Sequence, residues 1–147
     1  MTNWLLVSSP DNLERSRARG FDVAGMKGRH RRKWERVRPG DRVLFYLTGL
    51  KAIGGVARVT GEPFESHEPI WESGKPGEVY PWRFPIEPVA ILEPGRFVAV
   101  EPLALGPMEY PKRWPADNWT LAFQGNVHEL SDADAALLEE AVRAAAG

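Results

Sequence analysis

"RVRPGDRVLFYLTGLKAIGGVARVTG", Arg36 to Gly61, is the stretch that decides the architecture. Arg38-Pro39-Gly40-Asp41 has the composition of a turn. It leads into "RVLFYLTG", a β-branched and aromatic run that reads as a strand ending at Gly49. Ala52 to Gly61 is its hairpin partner. Within it, Gly54-Gly55 predicts a bulge or a close backbone approach.

Upstream, Trp4 to Ser8 is apolar and β-prone but alternates poorly, as a buried first strand would. Ser9-Pro10 reads as N-cap and first helical residue, with a helix to about Arg19 and Gly20 as its stop. A second short helix is predicted over Gly28 to Val37. Its His30, Trp34 and Val37 would share a core-facing side, and Arg29, Arg32, Lys33 and Arg36 an outward one.

Downstream, a loop rich in Pro, Glu and Gly precedes a long strand, Trp82 to Leu92. Pro85 and Pro88 interrupt it, which predicts an edge position or a bulge. Phe97 to Val100 is a further strand candidate, and Asn118 to Asn126 is expected to carry a short strand and a turn. Ser131 as N-cap with Asp134 three residues on opens an alanine-rich helix to about Ala145. Together these elements predict one α+β domain over residues 1–147, a small bent barrel-like sheet with helices at its periphery.

With 147 residues the chain can bury a core without staples, and it has no cysteine, so disulfides, thiolate nucleophiles and cysteine-based zinc sites are excluded. The N-terminus has no basic region and only a four-residue apolar run, which argues against a signal peptide or a membrane span and for a cytoplasmic protein. The net charge of −1 hides an asymmetry: Arg15 to Arg38 holds ten Lys/Arg against Asp22 and Glu35. That pattern fits either a polyanionic partner or a solvated basic face balanced by acids elsewhere.

Catalytic patterns are poor. His30, His67 and His128 stand in unrelated contexts without ligand-pair spacing, so no metal site and no cofactor are expected. Ser8 and Ser9 lack a nucleophile elbow, and the glycines match neither a phosphate loop nor a dinucleotide fingerprint. Aromatics offer more: Trp71, Tyr80, Trp82, Trp114, Trp119 and Phe123 all lie beside turns. Most would fill the core, but two or three could wall a slot for a flat ligand, and a basic rim beside such walls suits unpaired nucleic-acid bases.

The chain resembles the EVE-domain proteins of the PUA-like superfamily, which are related to the YTH readers of methylated adenosine. The resemblance rests on "WLLVSSPDN" (Trp4 to Asn12), "GFDVAG" (Gly20 to Gly25), the Arg36 to Gly61 stretch, "PIWESG" (Pro69 to Gly74), "YPWRFPIEP" (Tyr80 to Pro88) and "FQGNVHEL" (Phe123 to Leu130). It implies a PUA-like bent β-barrel and a non-catalytic reader of DNA or RNA, with modified bases as ligands. By that analogy Ser8, Ser9 and Asn12 are polar readers, and Val23, Ala24 and Gly25 form a floor of small residues. Tyr46, Trp82 and Phe123 are stacking candidates, with Thr48 and Gln124 as further polar contacts. Arg15, Arg17 and Arg19, or the Arg29, Arg32, Lys33 and Arg36 face, would hold phosphates. Trp4, Pro10 and Gly40 also match but serve folding. A binding module for a nucleoside-like small molecule, a hydrolase of modified bases or nucleotides, and a protein adaptor using Pro69 to Trp82 remain the rival readings.

Overall fold

The apolar run near the N-terminus forms β1 (Asn3–Ser8), and Ser9 starts α1 (Pro10–Ala18) by accepting the Asn12 amide on its hydroxyl. The chain then crosses over through β2 (Val23–Met26), a 3-10 turn (Gly28–His30) and the single turn of α2 (Arg31–Trp34) to reach β3 (Arg42–Leu47). A crossover of that length is what a parallel neighbour requires, and β3 does run parallel to β1. After β4 (Ala52–Val59), β5 (Phe64–Glu65), β6 (Trp82–Ile91) and β7 (Val98–Ala99) come α3 (Glu101–Leu105) and 3-10 segments at Tyr110–Arg113 and Ala116–Phe123. β8 (Val127–Leu130) and α4 (Asp132–Ala146) complete the chain, all of which, Met1–Gly147, is described in this computed structural model.

The sheet order is β2-β6-β4-β3-β1-β8, with β5 added on β6 and β7 on β4. It curls until its two ends meet at Asn126, a buried residue just before β8. The Asn126 side chain accepts the Lys27 amide, just beyond β2, at 2.9 Å and donates to the Val7 carbonyl at 3.4 Å. The result is a half-barrel of mixed strands with helices around it, the PUA-like architecture expected.

Successive side chains of a strand point to opposite faces, and here both faces are buried. Trp4, Leu6, Val43, Phe45 and Leu47 enter one core with Met26 and Phe84. Leu5, Leu44 and Tyr46 enter the other, which α4 covers with Leu138 and Val142. That is why β1 reads as a continuous apolar run rather than an alternating one. The turn before β3 is held by Asp41, whose carboxylate accepts from Trp4 Nε1 at 3.0 Å and from the Thr2 and Arg38 amides at 2.9 Å each.

Two expectations are corrected. The second helix is a 3-10 turn followed by one α turn: after the Glu35 amide bonds the Arg31 carbonyl, the Arg36 and Val37 amides reach only three residues back, to Lys33 and Trp34, and Val37 is buried below it while His30 is half-exposed. Residues 118–126 contain no strand: Ala116–Phe123 coils as a 3-10 segment with a kink at Asn118, and β8 begins only at Val127. Of the two placements expected for β6, edge or bulge, the structure shows the bulge: β6 pairs β2 on one side and β4 on the other. Its register against β4 shifts between Val56 and Ala57, where Pro88 is accommodated. Gly54 likewise sits at the β3–β4 irregularity opposite Phe45/Tyr46.

Candidate functional site

β1 and β3 end side by side at Ser8 and Leu47, and the chain leaves them in different directions, into α1 and into the Thr48–Lys51 turn. Between these exits lies a cleft of about 650 Å³. Its walls are the β1 end, the β3–β4 turn, Lys27 and Arg29 beyond β2, the segment Glu72–Lys75 with Tyr80, and Thr120 with Phe123–Gly125. Four cations (Lys27, Arg29, Lys51, Lys75) and one acid, Glu72, line it. A niche of about 30 Å³, lined by Ala24, Gly25, Trp71 and Asn126, adjoins the cleft and shares Val7, Ser8, Asn12 and Tyr80 with it. That is room for a methyl group or a water molecule, not for a base.

The long connection between β5 and β6 is strapped over this niche. The Asn12 side chain donates to the Glu72 carbonyl at 2.7 Å and accepts its amide at 2.9 Å. Trp71 Nε1 donates to Ser16 Oγ at 2.9 Å, and its indole lies on Gly25, where a β-carbon would come within 2.6 Å of the ring. Arg83, buried, stacks on Trp71 at 5.3 Å and donates to the Tyr80 and Glu68 carbonyls. Lys27 pairs with Glu78 at 3.0 Å, and Glu78 is held below the usual carboxylate range first by the Ser73 hydroxyl and then by Lys27. Burial, together with the Glu78 charge, raises the Tyr80 phenol.

Ser8, Ser9, Asn12, Tyr46, Thr48, Phe123 and Gln124 do come together around the cleft. Several are already committed. Ser9 caps α1, Asn12 is spent on the strap and on Arg15, and the Ser8 hydroxyl donates to the Ser9 carbonyl. Thr48 and Gln124 are exposed with no side-chain hydrogen bond to the rest of the chain. Tyr46 and Phe123 are not separate walls: they stack on each other at 4.6 Å and 14°, both buried, and burial pushes the Tyr46 phenol up to about 12. Of the small-residue floor, Ala24 and Gly25 line the niche, whereas Val23 is buried in β2 opposite Pro85. Gly25 is small to admit Trp71 of the chain itself.

Trp82 lies outside the cleft. It packs on Trp34 at 4.9 Å, under Arg31 at 5.4 Å, and donates to the Gly28 carbonyl at 2.8 Å, fixing the 3-10 turn to β6. Among the predicted phosphate residues only Arg29 lines the cleft. Arg15 binds Glu72 at 3.3 Å, Arg17 binds Glu14 and Glu93, and Arg19 binds Asp22 and Glu68. Arg36 pairs with Glu129 at 2.6 Å, Lys33 donates to the Val127 carbonyl, and Arg32 is exposed without a carboxylate partner. Lys51 and Lys75, isolated cations in the sequence, also face the cleft and, like Arg29, have no carboxylate partner. Behind Arg29, burial first and then Lys33, Arg29, His128 and Lys27 lower His30 to about 4, and burial lowers His128. No three His, Asp or Glu side chains gather as a metal site, and no helix is long and apolar enough to cross a membrane.

A family model described as the EVE domain matches residues 2–140. A UPF0310 protein of Pyrococcus abyssi is 33% identical over 101 residues, covering 63% of this chain and 70% of its own. One from Pyrococcus horikoshii is 28% identical over 151 residues, 95% and 98% of the two chains. Among solved structures, the YTH domain of Mmi1 in complex with RNA superposes with a TM-score of 0.70 at 8% identity, over 98% of this chain and 82% of that one. Human THYN1, in complex with DNA containing 5-methylcytosine, superposes at 0.60 with 16% identity, over 95% and 96%.

Proposed function

As this chain belongs to the EVE-domain family, we propose that it is a non-catalytic reader that takes one unpaired or extruded base of a nucleic acid into the cleft. The observation carrying this reading is the coincidence of a cation-lined cleft with ample room for a base and a methyl-sized niche beneath Trp71. The nucleic acids named with Mmi1 and THYN1, which share the fold, point the same way. In this reading the heterocycle lies in the cleft beside Tyr80, Thr48 and Gln124 supply hydrogen bonds, and a substituent on the base enters the niche.

The energetics assign roles. Extracting a paired base costs a few kcal/mol, and one aromatic surface returns about 1–3 kcal/mol. With Tyr46 and Phe123 closed on each other, Tyr80 is the aromatic left beside the cleft, so phosphate contacts must carry most of the affinity. A methyl group in the niche adds about 0.8 kcal/mol, roughly fourfold, so stronger preference needs hydrogen bonds that the unmodified base satisfies badly.

The test is a binding screen of modified and unmodified oligonucleotides, DNA and RNA, beside the matching nucleosides, at low and high salt. A reader gains strongly on the oligonucleotides at low salt. Equal affinity for nucleoside and oligonucleotide would establish the small-molecule reading instead, and turnover of either ligand the hydrolase reading.

A further inference from the structure

Six large apolar side chains are exposed on the protein: Met1, Leu50, Phe64, Val79, Leu105 and Leu121. Three are chain neighbours of cleft-lining residues. Leu50 stands between Gly49 and Lys51, Val79 precedes Tyr80, and Leu121 follows Thr120. Leu50 is the most open of the three, at 53% exposure against 50% and 39%. It sits at the tip of the β3–β4 turn, whose backbone is held by two left-handed residues, Gly49 at φ +82° and Lys51 at φ +51°. A side chain such as lysine rarely adopts that conformation, and here it is pinned by the Val100 amide donating to the Lys51 carbonyl at 3.0 Å. An apolar tip on a stiff turn, with Lys51 beside it and Lys75 on the cleft wall, has the chemistry of a wedge for stacked bases between phosphate strands.

We propose that the ligand is a double-stranded nucleic acid and that Leu50 enters the base stack where the extruded base has left it. This rests on the reading of the cleft as a base site and extends it: a base already unpaired needs no wedge, whereas a duplex does. Leu50 fills the vacated step, and Lys51 and Lys75 hold the flanking phosphates while the base occupies the cleft.

The experiment uses the full chain with oligonucleotides carrying one 5-methylcytosine beside a 2-aminopurine, as DNA duplex, RNA duplex and the matching single strands. Anisotropy reads affinity, and 2-aminopurine fluorescence reads unstacking. For wild type, single strands and at least one duplex should bind, with a fluorescence rise on the duplex. Leu50→Ala should bind single strands unchanged and that duplex about tenfold more weakly without the rise, and Leu50→Phe should restore both. Binding of single strands alone, or an equal effect of Leu50→Ala on both forms, or none on either, would overturn the wedge and leave the base-site reading standing. Binding of neither form would overturn that reading itself, and the wedge with it.

Discussion

Asn12 and the backbone of Glu72 are bonded in both directions, 60 residues apart in sequence: the side-chain amide donates to the carbonyl at 2.7 Å and accepts the N–H at 2.9 Å. The first turn of α1 thereby clamps the strap that roofs the niche. Asn12→Ala breaks both bonds and leaves backbone groups unsatisfied, which should cost about 1–3 kcal/mol in urea unfolding. Amide exchange should accelerate in residues 66–80 before anywhere else. Unchanged exchange there would mean the strap is held by Trp71 and Arg83 alone.

Cleft and surface cations separate by salt dependence. Neutralising Lys51 and Lys75 together should reduce the slope of log affinity against log salt by about 1.4–1.8, the value for two phosphate contacts. Neutralising Arg17 and Arg19, which are tied to Glu14, Glu93, Asp22 and Glu68, should leave that slope unchanged. The reverse result would move the phosphate path to the α1 face.

Local signals in the sequence were legible because they act over a few residues. Ser9 and Ser131 cap α1 and α4 through the Asn12 and Asp134 amides as their spacing foretold, and Gly54 marks the sheet irregularity. The basic segment left two readings open because several of its neutralising partners are remote: Arg17 meets Glu93 and Arg36 meets Glu129, 76 and 93 residues away. The placement of the aromatics was illegible for a related reason. Nothing local distinguishes Trp82, which braces a turn, from Trp71, which roofs the niche, since tertiary contacts with Gly28 and Gly25 decide it. Lys51 and Lys75 carry no local signal at all, being single charges whose common cleft exists only after folding.

His30 ties this basic region to pH. Its pKa of about 4 lies below the ordinary 6.5, so between those values the unfolded chain takes up a proton that the native protein refuses. Stability should therefore rise with pH across that window, stay complete above it, and be lost on acidification toward pH 4. His128, lowered by burial, contributes with the same sign. His30→Gln should flatten urea midpoints measured across the window. Lys33→Met removes a cationic neighbour, so it should raise the His30 pKa followed by NMR titration.

Gly25 and Trp71 provide the sharpest check on the niche. A β-carbon on Gly25 would fall 2.6 Å from the indole, and that ring is fixed by Ser16 and Arg83, so it cannot swing away freely. Gly25→Ala should cost about 1–3 kcal/mol, as overpacking generally does. Trp71→Ala removes the atoms the methyl would strike. In a double-mutant cycle by urea unfolding, Gly25→Ala should cost much less on the Trp71→Ala background, giving a coupling of about 1 kcal/mol or more. Simple additivity would show that the strap does not rest on Gly25 in solution. Because Trp71→Ala also opens the niche, it should abolish preference for a methylated oligonucleotide while sparing the salt-dependent affinity that Lys51 and Lys75 provide.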